Sequence, residues 1–412
     1  MNQAEGLAPP VHLRWIALGS ALLVQISISI IVIGMPALVP FIQADLNLSH
    51  GQVGTFVSAL NVGTMCALPF AGMAVDRLGE RFVLTVGGVA TGLLAMSLLL
   101  PRGFWLPLLV LALVGVAAAT PTPAGSKAVM SWFPLRQRAT AMGIRQTGIP
   151  LGGALAALIL PPLAIAWGWR YSLVLAGGIA ILAAGIAFTS YRAAEGPDPV
   201  PGQPPARAGI GAMREVMTRS VLFVSLSGLV LGLAQFCLLT YLVLYLRDRW
   251  GIAVAVGEGL LLAANLGGGF GRIFWGMVSD RLFGGSRRNA LMLVTLLAAA
   301  LSLALALLPA RAPLPLLAAV ALLFGSTGLG WNGLYITLVS ELSRPGRHGA
   351  TLGNSMLITY IGIVGAPPLF GLLVDRSHSY QLAWQLLAAV LLLSGLLLLP
   401  VREPAKEGFR RG

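Results

Sequence analysis

The sequence predicts an all-α membrane protein of twelve transmembrane helices, in two six-helix halves related by a pseudo-two-fold axis along the membrane normal. Three observations predict it. Of the 412 residues, 57% are hydrophobic and 10% are charged, and the mean hydropathy is +0.85; a soluble domain carries about 25% charged residues. Apolar runs of spanning length recur from end to end. A short motif also recurs at half-chain spacing, each time at the end of an apolar run.

The runs lie at about 15–41, 52–75, 82–100, 106–130, 139–165, 170–191, 220–246, 254–278, 290–309, 313–340, 350–373 and 380–400. Backbone polar groups in lipid are satisfied only by helices or closed barrels, and these runs are too long and continuous for barrel strands. The first begins near Trp15, after a polar N-terminus, and exceeds the length of a signal-peptide apolar core, so it reads as a span rather than a cleaved leader. In the fourth, Pro121-Thr122-Pro123 is expected to break the helix. After the sixth comes a polar stretch with Pro197, Pro199, Pro201, Pro204 and Pro205, which reads as a linker. The expected domains are an N-terminal half (1–191), a cytoplasmic linker (192–219) and a C-terminal half (220–412). The second run ends Gly72-Met73-Ala74-Val75-Asp76-Arg77, and the eighth ends Gly276-Met277-Val278-Ser279-Asp280-Arg281, an offset of 204 residues.

Charge fixes the expected orientation. With the N-terminus in the cytoplasm, cytoplasmic segments carry 18 of the 27 Lys and Arg residues and outer segments carry 6, leaving Lys127, Arg145 and Arg272 inside predicted helices. That bias is the positive-inside pattern. It explains the net charge of +13 without nucleic acid, so both termini are expected on the cytoplasmic side of a plasma or inner membrane. Cys66 and Cys237 lie in apolar runs and read as small buried hydrophobes rather than a disulfide framework. The four histidines (His12, His50, His348, His378) fall in or near loops, with no pair at metal-ligand spacing. No metal or cofactor is implied.

The stretch from Gly72 through Asp76, Arg77, Gly79 and Glu80 to Arg81 resembles the signature loop of the major facilitator superfamily, between its second and third helices. The half-chain echo through Asp280 and Arg281, the linker, and Trp167-Gly168-Trp169-Arg170 before the sixth run agree with that resemblance. Glu80 replaces the family's usual small or basic residue, and Phe283-Gly284-Gly285 stands where the first copy has Gly79. The resemblance implies a transporter whose halves rock about a central cavity. It also implies a gating role for Asp76, Arg77, Arg81, Asp280 and Arg281, whose pairing in one conformation only would bias a two-state equilibrium.

Charges inside apolar helices point to a substrate. Arg272 sits in Gly267-Gly268-Gly269-Phe270-Gly271-Arg272-Ile273-Phe274-Trp275-Gly276, and the glycines allow close helix approach. This stretch resembles the eighth helix of the oxalate–formate and monocarboxylate branch, which implies that Arg272 pairs with a substrate carboxylate; the planar guanidinium suits that task. The branch's lysine in the eleventh helix has no counterpart, because 350–373 carries no charge, and a monoanion is therefore expected. Arg145 is a candidate second anion ligand, whereas Lys127, near the cytoplasmic end of its run, reads as a snorkelling cation. Trp331, Asn332 and Tyr335 place two aromatics and an amide near one helix face. Gln25, Asn61 and Tyr241 join them as candidate substrate contacts, followed by Gln235, Tyr245, Asn265 and Asn354. Glu258, near the outer end of the eighth run, and Glu341, closing the tenth, do not read as mid-membrane proton carriers.

Gly328-Leu329-Gly330-Trp331-Asn332-Gly333 fits a dinucleotide-binding pattern but lies inside an apolar run with no strand before it, so its required context fails. No catalytic constellation emerges, and no enzyme is expected. The expected function is secondary transport of a small organic anion, a monocarboxylate first, with proton coupling left open. The alternatives are a drug–proton antiporter, suggested by Gly148-Ile149-Pro150-Leu151-Gly152-Gly153, and a sugar or sugar-acid carrier. The expected partners are that anionic substrate and the lipid bilayer, not nucleic acid, and the expected state is a monomer.

Overall fold

A chain this apolar can satisfy its backbone in lipid only by coiling it, and every regular element of the described residues is a helix. The computed structural model describes residues 11–100, 103–133, 141–142, 144–190, 217–309, 312–344 and 348–403. The expected linker lies almost wholly outside them. The helices are α1 (Val11–Val32), α2 (Met35–Leu46), α3 (His50–Leu78), α4 (Glu80–Ser97), α5 (Trp105–Ala118), α6 (Pro121–Trp132), α7 (Gly148–Trp167), α8 (Trp169–Ser190), α9 (Arg219–Trp250), α10 (Val254–Arg281), α11 (Arg287–Leu307), α12 (Leu314–Gly328), α13 (Asn332–Leu342), α14 (His348–Ser377) and α15 (Tyr380–Leu397).

Among the described residues ten spans are long and apolar enough to cross a membrane. The expected spans 52–75 and 82–100 correspond to α3 and α4, of 29 and 18 residues, or about 43 and 27 Å of helix. Three spans are broken. The first divides between α1 and α2, where Pro36 opens the second segment; proline is tolerated there because the N–H it lacks would have no intrahelical partner. Asn47 closes α2 at a positive φ of 51°, which asparagine tolerates better than most residues. The fourth span breaks at Pro121, as its prolines predict. The tenth breaks between Gly328 and Asn332 without a proline, and its sequence did not announce the break.

Prolines also sit inside helices, at Pro161-Pro162 in α7 and Pro367-Pro368 in α14. Each lacks the N–H that would bond the carbonyl four residues back. The carbonyls of Ala157, Leu158, Ile363 and Val364 therefore have no such intrahelical donor. Membrane helices accept this where a neighbouring group supplies the bond.

By Cα packing the chain forms two units. One holds Met1–Ile33, Gly63–Gly152 and Arg170–Gln203; the other holds Gly34–Val62, Gly153–Trp169 and Pro204–Gly412. In the first, Ala21, Val24 and Ile28 of α1 pack with Val83 and Leu84 of α4 and Ala124 of α6. In the second, α9 lies along α14 and α10 along α12. A Cβ at Gly271 or Gly325 would strike the facing backbone of α12 or α10. Those two helices consequently meet backbone to backbone, as small residues allow in membranes.

Candidate functional site

Within the first unit, Arg145 is 1% exposed although it carries a full charge. Its Nη1 donates to Gln25 Oε1 at 3.3 Å, and its Nη2 donates to Ser126 Oγ at 3.2 Å and Gln146 Oε1 at 3.3 Å. Nε approaches Met142 Sδ at 3.5 Å. Gly125 on α6 makes room, since a Cβ there would sit 3.0 Å from Arg145 Cδ. Every one of these partners is neutral. A guanidinium taken out of water normally finds a carboxylate, and here amide and hydroxyl oxygens orient it without neutralising it. Gln25 is itself buried and also donates to Ser29 Oγ at 3.3 Å.

Within the second unit, the break between α12 and α13 gathers the other predicted group. Trp331 is 1% exposed, and its indole N–H donates to Gln235 Oε1 at 3.1 Å. Asn332 Nδ2 reaches the same oxygen at 3.4 Å and the Leu329 carbonyl at 3.4 Å. Trp331 meets Tyr335 edge to face, with centroids 5.2 Å apart. The Tyr335 hydroxyl is engaged by Ser355 Oγ at 2.6 Å and Thr359 Oγ1 at 2.9 Å. Arg272, half-buried on α10, directs Nε at the Leu329 carbonyl at 3.5 Å. That carbonyl lies just past the C-terminus of α12, where a cation is favoured by the helix dipole. Arg272, Trp331, Asn332 and Gln235 thus form one polar cluster at a helix break. Sequence reasoning ranked Gln235 low and missed Ser355 and Thr359, which carry no signal beyond a hydroxyl in an apolar run.

The remaining predicted residues stand elsewhere. Asn61, buried, donates to the Val57 carbonyl of its own helix at 2.9 Å. Asp76 falls on α3, with its side chain outside the described residues. Arg77 and Arg281 are exposed at helix ends. Arg81 donates to the Phe188 carbonyl from Nε at 3.0 Å and Nη2 at 2.6 Å, and its guanidinium lies 4.4 Å from the Phe188 ring centre, capping the end of α8. Lys127 donates to the Val75 carbonyl at 3.1 Å, near the end of α3. Asp280 accepts from Arg287 Nη1 at 2.5 Å, and Glu341 Oε1 lies 3.6 Å from Arg287 Nε.

Tyr241 belongs to a seam that the sequence did not announce. It is fully buried, and its hydroxyl is shared between the carbonyls of His50 at 2.8 Å and Pro367 at 2.6 Å. Asp375 accepts the backbone N–H groups of His50 at 3.0 Å and Gly51 at 2.8 Å, capping α3 from another helix. The His50 ring bridges two carboxylates, with Nδ1 2.8 Å from Asp375 and Nε2 3.1 Å from Asp248. Tyr380 donates to Asp248 at 2.8 Å, and Arg247 donates to it at 2.7 Å. Burial lowers the His50 pKa, but the hydrogen bonds and charges of Asp248 and Asp375 outweigh it and hold the imidazole above its ordinary value of 6.5. Gly54 and Gly371 let α3 and α14 touch: a Cβ at Gly54 would strike the Pro367 backbone, and one at Gly371 the His50 carbonyl and the Tyr241 hydroxyl. Ser58 Oγ donates to the Val364 carbonyl at 2.6 Å, replacing the donor that Pro368 lacks.

One further acid stands out. Glu258 on α10 is 2% exposed, and neither carboxylate oxygen has a hydrogen-bond partner. It lines a cavity of about 180 Å³ together with Ala157, Leu158, Pro161 and Pro162 of α7.

Known proteins set this architecture in context. Over 382 residues the chain is 27% identical to a hexuronate transporter of Bacillus subtilis (strain 168), covering 89% of each chain. It is 27% identical over 391 residues to a probable sulfoacetate transporter of Cupriavidus necator, covering 85% of each. Its fold matches the crystal structure of a bacterial homolog to the human lysosomal transporter Spinster, with a TM-score of 0.73 and 17% identity, over 94% of this chain and 95% of that one. The family model described as Major Facilitator Superfamily matches residues 18–353 and 224–412. With a helical membrane fold, a half-chain repeat of the signature loop and that match across its length, the chain belongs to the Major Facilitator Superfamily.

Proposed function

We propose that this transporter carries small organic anions with a single acidic group, and that sugar acids are the first class to test. The observation that carries this reading is the burial of Arg145 among partners that, among the described residues, are all neutral. A positive charge held that way has attraction left over for an anion. Arg272 is the second proposed ligand, beside the amides and indole of Gln235, Asn332 and Trp331. Hydroxyl groups of a sugar acid suit those amides. The relative named for hexuronate transport supports a sugar acid, and the one named for sulfoacetate transport supports an organic anion more broadly. A drug–proton antiporter gains no support, because its cationic substrates would meet guanidinium groups.

In this reading the chain sits in the inner membrane with both termini cytoplasmic, as the charge bias favours. Its six-helix halves alternate access, and Arg77 and Arg281 take part in the cytoplasmic gate. The test is uptake of radiolabelled glucuronate, galacturonate and lactate into proteoliposomes, with Arg145→Gln and Arg272→Gln alongside. Uptake by the wild type and a fall of about tenfold to a hundredfold in apparent affinity for each variant is expected, the scale of a lost charge-assisted hydrogen bond. Uptake of neutral sugars or lipophilic cations that survives both substitutions would return the arginines to structural roles.

A further inference from the structure

Glu258 is a carboxyl group with no role in the anion reading. It is 2% exposed and both oxygens lack a partner. An ionised carboxylate in apolar surroundings is costly unless a proton, a cation or hydrogen-bond donors meet it. Of the nine residues that line its cavity, Glu258 alone is titratable, and the others contribute only apolar side chains and backbone. The α7 residues there include Ala157 and Leu158, whose carbonyls lost their intrahelical donors to Pro161 and Pro162. The cavity therefore holds an acid without a donor beside backbone acceptors short of one.

The internal repeat explains why this corner is unlike its counterpart. Pro367-Pro368 follows Pro161-Pro162 by 206 residues, close to the 204-residue offset of the signature loops. At that same offset Glu258 corresponds to Gly54. In the α3–α14 copy, Gly54 sits directly against Pro367, and a proline-freed carbonyl takes its hydrogen bond from Ser58. In the α10–α7 copy the glycine is replaced by Glu258, the position of Ser58 is Leu262, and a cavity separates the helices. The second copy has exchanged a permanent hydroxyl donor for a group that donates only when it carries a proton.

We propose that Glu258 is the proton-binding site of this transporter: protonated, it donates its O–H to a proline-freed carbonyl of α7 and holds α10 and α7 together, and deprotonated it releases them. This rests on the anion-transport reading above. A proton is favoured over a metal cation because the lining offers no second acidic or amide side chain, and hard cations gather several oxygen ligands. Glu258, Asn265 and Arg272 follow one another at seven-residue spacing on α10, a repeat that keeps them near one face with a drift of about 20° per step. A movement of α10 set by the proton thus reaches the proposed anion ligand through one helix.

The experiment uses full-length protein in proteoliposomes with a pH-sensitive dye trapped inside and glucuronate as the probe. Net uptake driven by a pH gradient is measured beside counterflow, which exchanges labelled for unlabelled substrate and needs no net proton movement. The wild type should acidify the lumen as glucuronate enters. Glu258→Gln should keep counterflow within about twofold while losing the pH signal and gradient-driven accumulation, and Glu258→Asp should restore both in part. A pH signal of wild-type size in Glu258→Gln, glucuronate uptake by the wild type with no pH signal, or loss of counterflow in both variants would each overturn the proton site and leave anion transport standing. Absence of uptake and counterflow of glucuronate, galacturonate and lactate in the wild type would overturn the transport reading and the proton site with it.

Discussion

Arg145 differs from an ordinary membrane-edge arginine in what surrounds it. Gln25, Ser126 and Gln146 fix the plane of the guanidinium without cancelling its charge. A lysine ammonium is a compact point charge and cannot reproduce that fork. Arg145→Lys should therefore lower apparent glucuronate affinity by about tenfold while leaving the thermal midpoint within a few degrees; equal affinity would sink the oriented-ligand argument. Tyr335 behaves in the opposite way. Its hydroxyl is consumed by Ser355 and Thr359, so Tyr335→Phe should cost about 1–2 kcal/mol of stability, read by thermal denaturation in detergent, with little change in substrate affinity. The two arginines were legible in the sequence because a cation inside an apolar run is conspicuous. Ser355, Thr359 and Glu258 were not: hydroxyls in helices commonly bond their own backbone, and only packing shows that an acid near a helix end is sealed from water.

At the scale of helices, proline and glycine decide where segments break and touch. Pro121 was legible as a break because it removes a donor within an apolar run. The break before Trp331 was not, since no proline marks it. The positions of Gly54 and Gly371 likewise gain meaning only once α3 and α14 are seen in contact. Gly371→Ala would push a methyl group into the His50 carbonyl and the Tyr241 hydroxyl. That overpacking should destabilise by about 1–3 kcal/mol. On the proposed alternating-access reading it should also slow counterflow, because the seam would have to close and reopen in each cycle. Unchanged stability and exchange would mean that α3 and α14 separate at no penalty.

For the molecule as a whole, the membrane-spanning helices were readable because hydropathy is a local property with a length scale set by the bilayer. The His50 seam was not, because its partners lie 198 and 325 residues away in sequence. Its pH response follows from the sign of the His50 shift. The folded pKa is raised above 6.5, so the contribution of the seam is fully present below that value and is lost as pH rises through the folded pKa. Arg249, His378 and Tyr380 also line the cavity that His50 shares with Asp248 and Asp375, Arg247 pairs with Asp248, and Tyr241 donates to the His50 carbonyl. The thermal midpoint should therefore fall as pH rises from about 6.5 through the raised His50 pKa, and His50→Gln should flatten that fall. A midpoint that is level in the wild type, or that falls equally in His50→Gln, would place the pH response elsewhere.

The burial of Arg145 also bears on the salt around the protein. A guanidinium that is 1% exposed can be met only by an ion that sheds water on the side it presents. On the proposed reading, ions that hold water loosely are the stronger inhibitors: thiocyanate ahead of chloride, and chloride ahead of sulfate, whose hydration is far harder to strip. The ranking of inert salts in an uptake assay then becomes a measure of how dry the arginine pocket is when the substrate arrives.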